Sequence, residues 1–236
     1  MKRTLVLAAL ILTGLGSLAA FETTKSLELS AQDIKRLEIQ AGAGSLTATG
    51  REGLAAIEVK AEIVARHVRD EDMAGFLKDR IELTLEKRGD VAVLVGRVRD
   101  RFRLFGFDDA VINLTVLVPK AMPLEIDDGS GSLAVADLAA VTIEDGSGSI
   151  RIDRIAGEVR IDDGSGGIEI NDVGGDVTVD DGSGEIIIRR IGGTVTVDDG
   201  SGSIDIEGVE KDVRLINTGS GGVDVSSVKG RVVRSR

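Results

Sequence analysis

Carboxylates at fixed spacing are the residues of this chain with the most chemistry to offer. Five acidic pairs recur along its second half: Asp127-Asp128, Glu144-Asp145, Asp162-Asp163, Asp180-Asp181 and Asp198-Asp199. Each precedes a Gly-Ser-Gly tripeptide, which returns six times, led by Gly129, Gly146, Gly164, Gly182, Gly200 and Gly219, at spacings of 17, 18, 18, 18 and 19 residues. Paired carboxylates cleave glycosidic bonds only when their surroundings differ, so that one keeps its proton. Here every pair sits in near-identical sequence, which speaks against a glycan-active enzyme. Stacked carboxylates are also hard oxygen ligands, so Asp128, Asp145, Asp163, Asp181 and Asp199 are candidate calcium ligands. The competing reading makes them turn residues that bond their own backbone, with charges solvated and screened. The spacing matches neither the nine-residue calcium roll nor an EF-hand loop. The sixth copy replaces the pair with Asn217-Thr218, which weakens any ion site at that end.

The serines of the tripeptides (Ser130, Ser147, Ser165, Ser183, Ser201 and Ser220) are nucleophiles only beside a base. The one histidine, His67, lies far outside the repeat. With no cysteine in the chain, His67 also lacks partners for a metal site. A glycine-rich phosphate cradle needs a helix to follow, whereas a strand pattern follows each tripeptide. No catalytic residue is assigned, and calcium is the one candidate ion.

The elements that must position these residues are written in apolar columns. Aligning the copies gives Leu124, Val141, Val159, Val177, Val195 and Val213 in the first column, and Ile126, Ile143, Ile161, Val179, Val197 and Leu215 two residues on. After the turn come Leu133, Ile150, Ile168, Ile186, Ile204 and Val223, then Val135, Ile152, Ile170, Ile188, Ile206 and Val225. A fifth column holds Leu138, Ile155, Val173, Ile191, Val209 and Val228. Each copy therefore carries two strands with one buried face, at a fixed period. Asp-Gly between such runs suits a hairpin, but a meander of hairpins would gather all the Val and Ile on one uncovered face. A coil turns them inward and stacks like on like. The expected fold is all-β: a parallel β-solenoid of about six 18-residue coils, a rod on the order of 30 Å long at a strand spacing of roughly 4.8 Å.

Residues Leu37–Thr49 read as a degenerate first coil, with Leu37-Glu38-Ile39 aligned on Leu124-Glu125-Ile126 and Gly44-Ser45-Leu46 on Gly131-Ser132-Leu133. The expected organisation is a signal peptide over 1–19, an N-terminal strand and this first coil over 20–50, a small α+β excursion over 51–122 acting as a cap, and the repeat over 123–236. Within the excursion, Ile57–Ala65, Ile81–Glu86, Val91–Val98 and Val111–Val118 read as strands and Asp70–Arg80 as a short helix.

An exported chain with a weak first coil, a strand-and-helix excursion and repeated Asp-Asp-Gly-Ser-Gly units resembles a bacterial family of adhesin-like β-strand-repeat proteins. Asp180-Asp181-Gly182-Ser183-Gly184 and Asp198-Asp199-Gly200-Ser201-Gly202 carry the likeness. The resemblance implies a cell-envelope or surface role in binding or scaffolding, and it brings no catalytic residues with it.

Export is read from Lys2 and Arg3 before the apolar run Leu5–Leu12, broken by Gly14 and Gly16, with Ser17 and Ala19 as the small residues before cleavage. The run is too short to span a bilayer, and no second apolar stretch of that length follows. Losing Lys2 and Arg3 takes the net charge from −11 to −13. Such acidity argues against nucleic acid or an anionic membrane surface as partner and leaves an envelope protein or a glycan. Arg101, Phe102, Phe105 and Phe107 make a basic, aromatic patch inside this acidic chain. It reads either as a partner site or as the cover of the first full coil. At the other end, Lys229, Arg231, Arg234 and Arg236 place positive charge on the last strand edge, as a guard against polymerisation or as a docking site.

Overall fold

A computed structural model describes residues 21–66, 73–99 and 110–235. The segment read as a signal peptide, His67, the first residues of the expected helix and the patch from Arg101 to Phe107 lie outside the described residues. Before the repeat come β1 (Phe21–Ser30), β2 (Arg36–Arg51), β3 (Ala56–Ala65), α1 (Met73–Asp79), β4 (Ile81–Arg88), β5 (Val91–Val98) and β6 (Ala110–Pro119). The repeat is β7 (Leu124–Ala136), β8 (Val141–Asp145), β9 (Gly148–Ile155), β10 (Val159–Asp163), β11 (Gly166–Val173), β12 (Val177–Asp181), β13 (Gly184–Ile191), β14 (Val195–Asp199), β15 (Gly202–Val209), β16 (Val213–Thr218), β17 (Val223–Val228) and β18 (Val232–Arg234).

Pairing is parallel and in register from coil to coil, which decides for the solenoid over hairpins. Val159 faces Val141 and Val177, Ile170 faces Ile152 and Ile188, and the same register carries through the neighbouring coils. The even strands β8 to β18 form one sheet and the odd strands β9 to β17 the other. The first four apolar columns point between the sheets, and Ile143, Ile152, Ile170, Val177, Ile188, Val195 and Ile206 are all 0% exposed. The fifth column turns the corner, with Leu138, Ile155, Ile191 and Val209 each 1% exposed.

The two irregular spacings have structural causes. The 17-residue repeat is one residue shorter at its corner, where Ala139-Ala140 stands in place of a three-residue link such as Ala156-Gly157-Glu158. The 19-residue repeat places its extra residue in a bulge: register shifts between Val197 and Asp198, and Ile216 is left unpaired and 50% exposed.

β2 stacks on β7 in the register expected for a first coil, Leu37 facing Leu124, Ile39 facing Ile126 and Leu46 facing Leu133. On its other side β2 pairs in parallel with β5, where Ile39 faces Leu94, and with β6, where Ala48 faces Val116. Two strands of the excursion therefore extend the parallel stack by a further coil. Its remaining strands and the N-terminal β1 close the stack antiparallel: β4 on β5, β3 on β6 and β1 on β3. From α1, Met73 and Phe76 enter the same core. Antiparallel strands and a helix cover what a parallel stack would otherwise leave as an open apolar layer.

Coils approach closely at the turns, and glycine is required there. Gly166 has φ 147°, and a Cβ on it would meet the Gly148 carbonyl oxygen at 1.6 Å. Gly166→Ala is expected to lower the melting temperature sharply. Ile170→Asp, which sets a carboxylate between stacked isoleucines, should cost roughly 4 kcal/mol or more. Urea unfolding checks both, and an unchanged midpoint for Ile170→Asp would refute the inward column.

Candidate functional site

Alternation of side chains explains where the acidic pairs go. Val177 and Val179 face inward, so Asp181, two residues further, faces inward too, while Asp180 faces out. The second acid of every pair behaves this way: Asp199 is 0% exposed, Asp163 and Asp181 2%, Asp128 3% and Asp145 7%. Asp127, Glu144, Asp162 and Asp180 are exposed and Asp198 is half-buried. The expectation of solvated turn charges therefore fails for the inner residue of each pair, because the strand's period carries it onto the core side.

The inner aspartates form one column, Asp128 facing Asp145, then Asp163, Asp181 and Asp199 in turn. Ala41 ends the column at one side and Thr218 at the other. Oδ1 accepts the backbone N–H of the serine two residues on, at 3.2 Å for Asp163–Ser165, 3.1 Å for Asp181–Ser183 and 3.0 Å for Asp199–Ser201. Oδ2 of Asp128, Asp163, Asp181 and Asp199, and both oxygens of Asp145, have no hydrogen-bond partner. Burial pushes all five carboxyls above the ordinary range. Asp128 rises to about 7, helped by the Asp145 charge, and Asp163 to about 6.

The structure thus gathers the five calcium candidates into one row. Among the described residues, however, no three His, Cys, Asp or Glu side chains converge as a cation cage. A row supplies one carboxylate per coil, whereas calcium takes 6–8 oxygens around one point.

The opposite corner holds a second ladder that sequence reasoning missed. Between the fourth and fifth apolar columns the spacing is three residues, and both columns point inward, so one intervening residue must absorb a kink. Asp137, Arg154, Asp172 and Arg190 do so with φ of 60°, 55°, 57° and 57°, followed by Gly208 at 75° and Ser227 at 55°. The odd spacing was the available signal. Charge alternates along this ladder. Arg154 binds Asp137 through two bonds of 3.0 and 2.8 Å and also contacts Asp153, while Arg190 binds Asp172 at 2.6 and 2.9 Å. These guanidinium bonds hold the Asp137 and Asp172 carboxyls below their usual range. Beside them lies an open groove of about 650 Å³, lined by Lys120, Leu138, Ala139, Ile155 and Ala156 with Asp137, Arg154 and Asp172 of the ladder.

At the far edge, Lys229 and Arg231 tie back onto Glu210 at 2.7 Å and Asp212 at 3.0 Å. Val232 and Val233 are 46% and 47% exposed there.

Fold and site define a class: a two-sheeted parallel β-solenoid that displays repeated side chains in rows. Among its described residues, no helix is long and apolar enough to cross a membrane. No family model matches the chain, and no curated protein matches it. Among solved structures it is similar to a putative cell adhesion protein of Clostridium sporogenes at 14% identity and a TM-score of 0.38, over 92% of this chain and 100% of that one. It is similar to a putative adhesin of Bacteroides fragilis at 11% identity and a TM-score of 0.44, over 91% and 97% of the two chains. A third likeness is to a putative lipid binding protein of Parabacteroides distasonis, at 14% identity and a TM-score of 0.43, over 91% and 97%.

The alternating ladder makes a testable contrast. Arg154→Gly removes the ion pair but eases the left-handed backbone, whereas Arg154→Asp stacks a third carboxylate between those of Asp137 and Asp172. Arg154→Asp should melt lower than Arg154→Gly at low salt, and the gap should narrow in high salt. Equal melting of the two variants at low salt would remove the electrostatic role.

Proposed function

We propose that the chain is an exported, non-enzymatic protein of the adhesin-like β-strand-repeat family, which binds or scaffolds in the cell envelope or at the cell surface. The observation that supports this reading most is the repetition of the outer rows. Asp127, Glu144, Asp162, Asp180 and Asp198 stand in register on one face, next to the row Thr142, Arg160, Thr178 and Thr196. A partner running along the rod meets the same group at every coil, about 4.8 Å apart, so that weak contacts add through avidity. Catalysis asks for the reverse, a few unlike groups converging on one reacting atom. The acidity of the outer row favours a basic protein surface or a glycan as partner, over nucleic acid.

Two measurements test the reading. Fractionation of cells expressing the tagged chain should place it outside the cytoplasm, with Ala20 as its first residue by N-terminal sequencing. Recovery in the cytosol with residues 1–19 retained would end the export claim. The immobilised chain should bind an envelope protein or glycan saturably. Exchange of Asp162, Asp180 and Asp198 for Asn should weaken that binding without lowering the melting temperature. Release of glycan fragments would instead make the protein an enzyme.

A further inference from the structure

The inner aspartates pose a problem of charge that their surroundings leave unsolved. Five carboxyls stand one coil apart, about 4.8 Å by strand spacing, and none is more than 7% exposed. The charged groups that act on them are themselves carboxylates: Asp127 and Asp145 on Asp128, Asp145 and Asp181 on Asp163, Asp180 and Asp199 on Asp181, and Asp198 on Asp199. The strands beyond the column contribute Ala41 and Thr218, neither charged. The turns donate backbone N–H groups to one oxygen of Asp163, Asp181 and Asp199 and leave the second oxygen bare.

Like charges this close and this dry do not all ionise. An ionised carboxylate only accepts hydrogen bonds, whereas a protonated one gains a donor. If alternate carboxyls keep a proton, each can give it to the bare oxygen of the neighbour one coil away, in a short charge-assisted bond. That arrangement satisfies the oxygens and lowers the repulsion together, and it needs no other group.

We propose that Asp128, Asp145, Asp163, Asp181 and Asp199 form a proton-sharing ladder, which takes up protons in mild acid and makes the rod more stable there than in mild base. This stands independently of what the outer faces bind. The direction follows from linkage. In the unfolded chain these groups have the ordinary value of 3.8, while in the fold Asp163 and Asp128 lie at about 6 and about 7. The folded chain therefore binds the extra protons, and the stability they bring is lost as pH rises from about 4 through 7. Asp137, Asp172, Asp205 and Asp212 shift the other way, so their contribution is lost only as pH falls below 3.8. The range from pH 8 to pH 5 lies above the window of those four carboxyls.

The test is thermal melting across that range in EDTA, for the wild-type chain and for Asp163→Asn with Asp181→Asn, together with a carbon-13 carboxyl titration of the wild type. The wild type should gain roughly 3–5 °C per pH unit for each proton taken up. The double variant, whose amides donate at every pH, should melt higher than wild type at pH 8 and gain less on acidification. At least two Asp carboxyls should titrate above pH 5. Melting that is flat or falls from pH 8 to pH 5, with all Asp midpoints near 4, would overturn the ladder. So would millimolar calcium at pH 8 raising the melting temperature as far as acid does, because the column would then be holding a cation. Should the double variant fail to fold, the wild-type titration decides alone.

Discussion

Lateral stacking of like on like is the constraint from which the rest of this structure follows. A single coil, with two short strands and a few inward Val and Ile, has no core of its own. It buries those side chains only because the coils above and below present the same residues in the same register. Ladder hydrogen bonds run from coil to coil, so each coil also depends on its neighbours for its backbone partners. The glycines of the turns belong to the same constraint, since the carbonyl of the next coil lies where a side chain would begin.

Stacking repeats whatever it is given, charges included, and the two corners meet that consequence in different ways. At the Ala-Gly corner the sequence alternates Asp137, Arg154, Asp172 and Arg190, so stacking turns repulsion into a row of ion pairs on the surface. At the acidic corner there is no alternation, and five aspartates are carried inward together. Exposed pairs in water are weak and screened, which allows variation such as Gly208 and Ser227 further along that row. Buried carboxyls have no screening solvent, so their protonation becomes part of the fold's energetics.

The two ends of the stack also differ. Antiparallel strands and α1 seal the end built from the excursion, with Met73 and Phe76 packed into the common core. In the last coil the inward valines are only partly covered, a bulge lifts Ile216 out of register, and Lys229 and Arg231 fold back onto acids of the coil before.

Much of this was legible in the chain because a repeat states its register many times over. The apolar columns, the alignment of Leu37 on Leu124 and the strands of the excursion all appear as read. Export, the partner and the loop from Arg101 to Phe107 rest on residues or molecules beyond the described structure. Two features of the corners were present as parity and passed over: Val-x-Val-x-Asp already puts the last aspartate on the buried side, and a three-residue step between inward columns already demands a kink. The sequence by itself determined the coil, its period and its register, since these depend on side-chain alternation and on identical neighbours. Only the tertiary structure decided that β5 and β6 join the parallel stack while β1, β3 and β4 close it. The excursion does not repeat, and its strand order depends on which distant edges meet and what apolar layer they must cover.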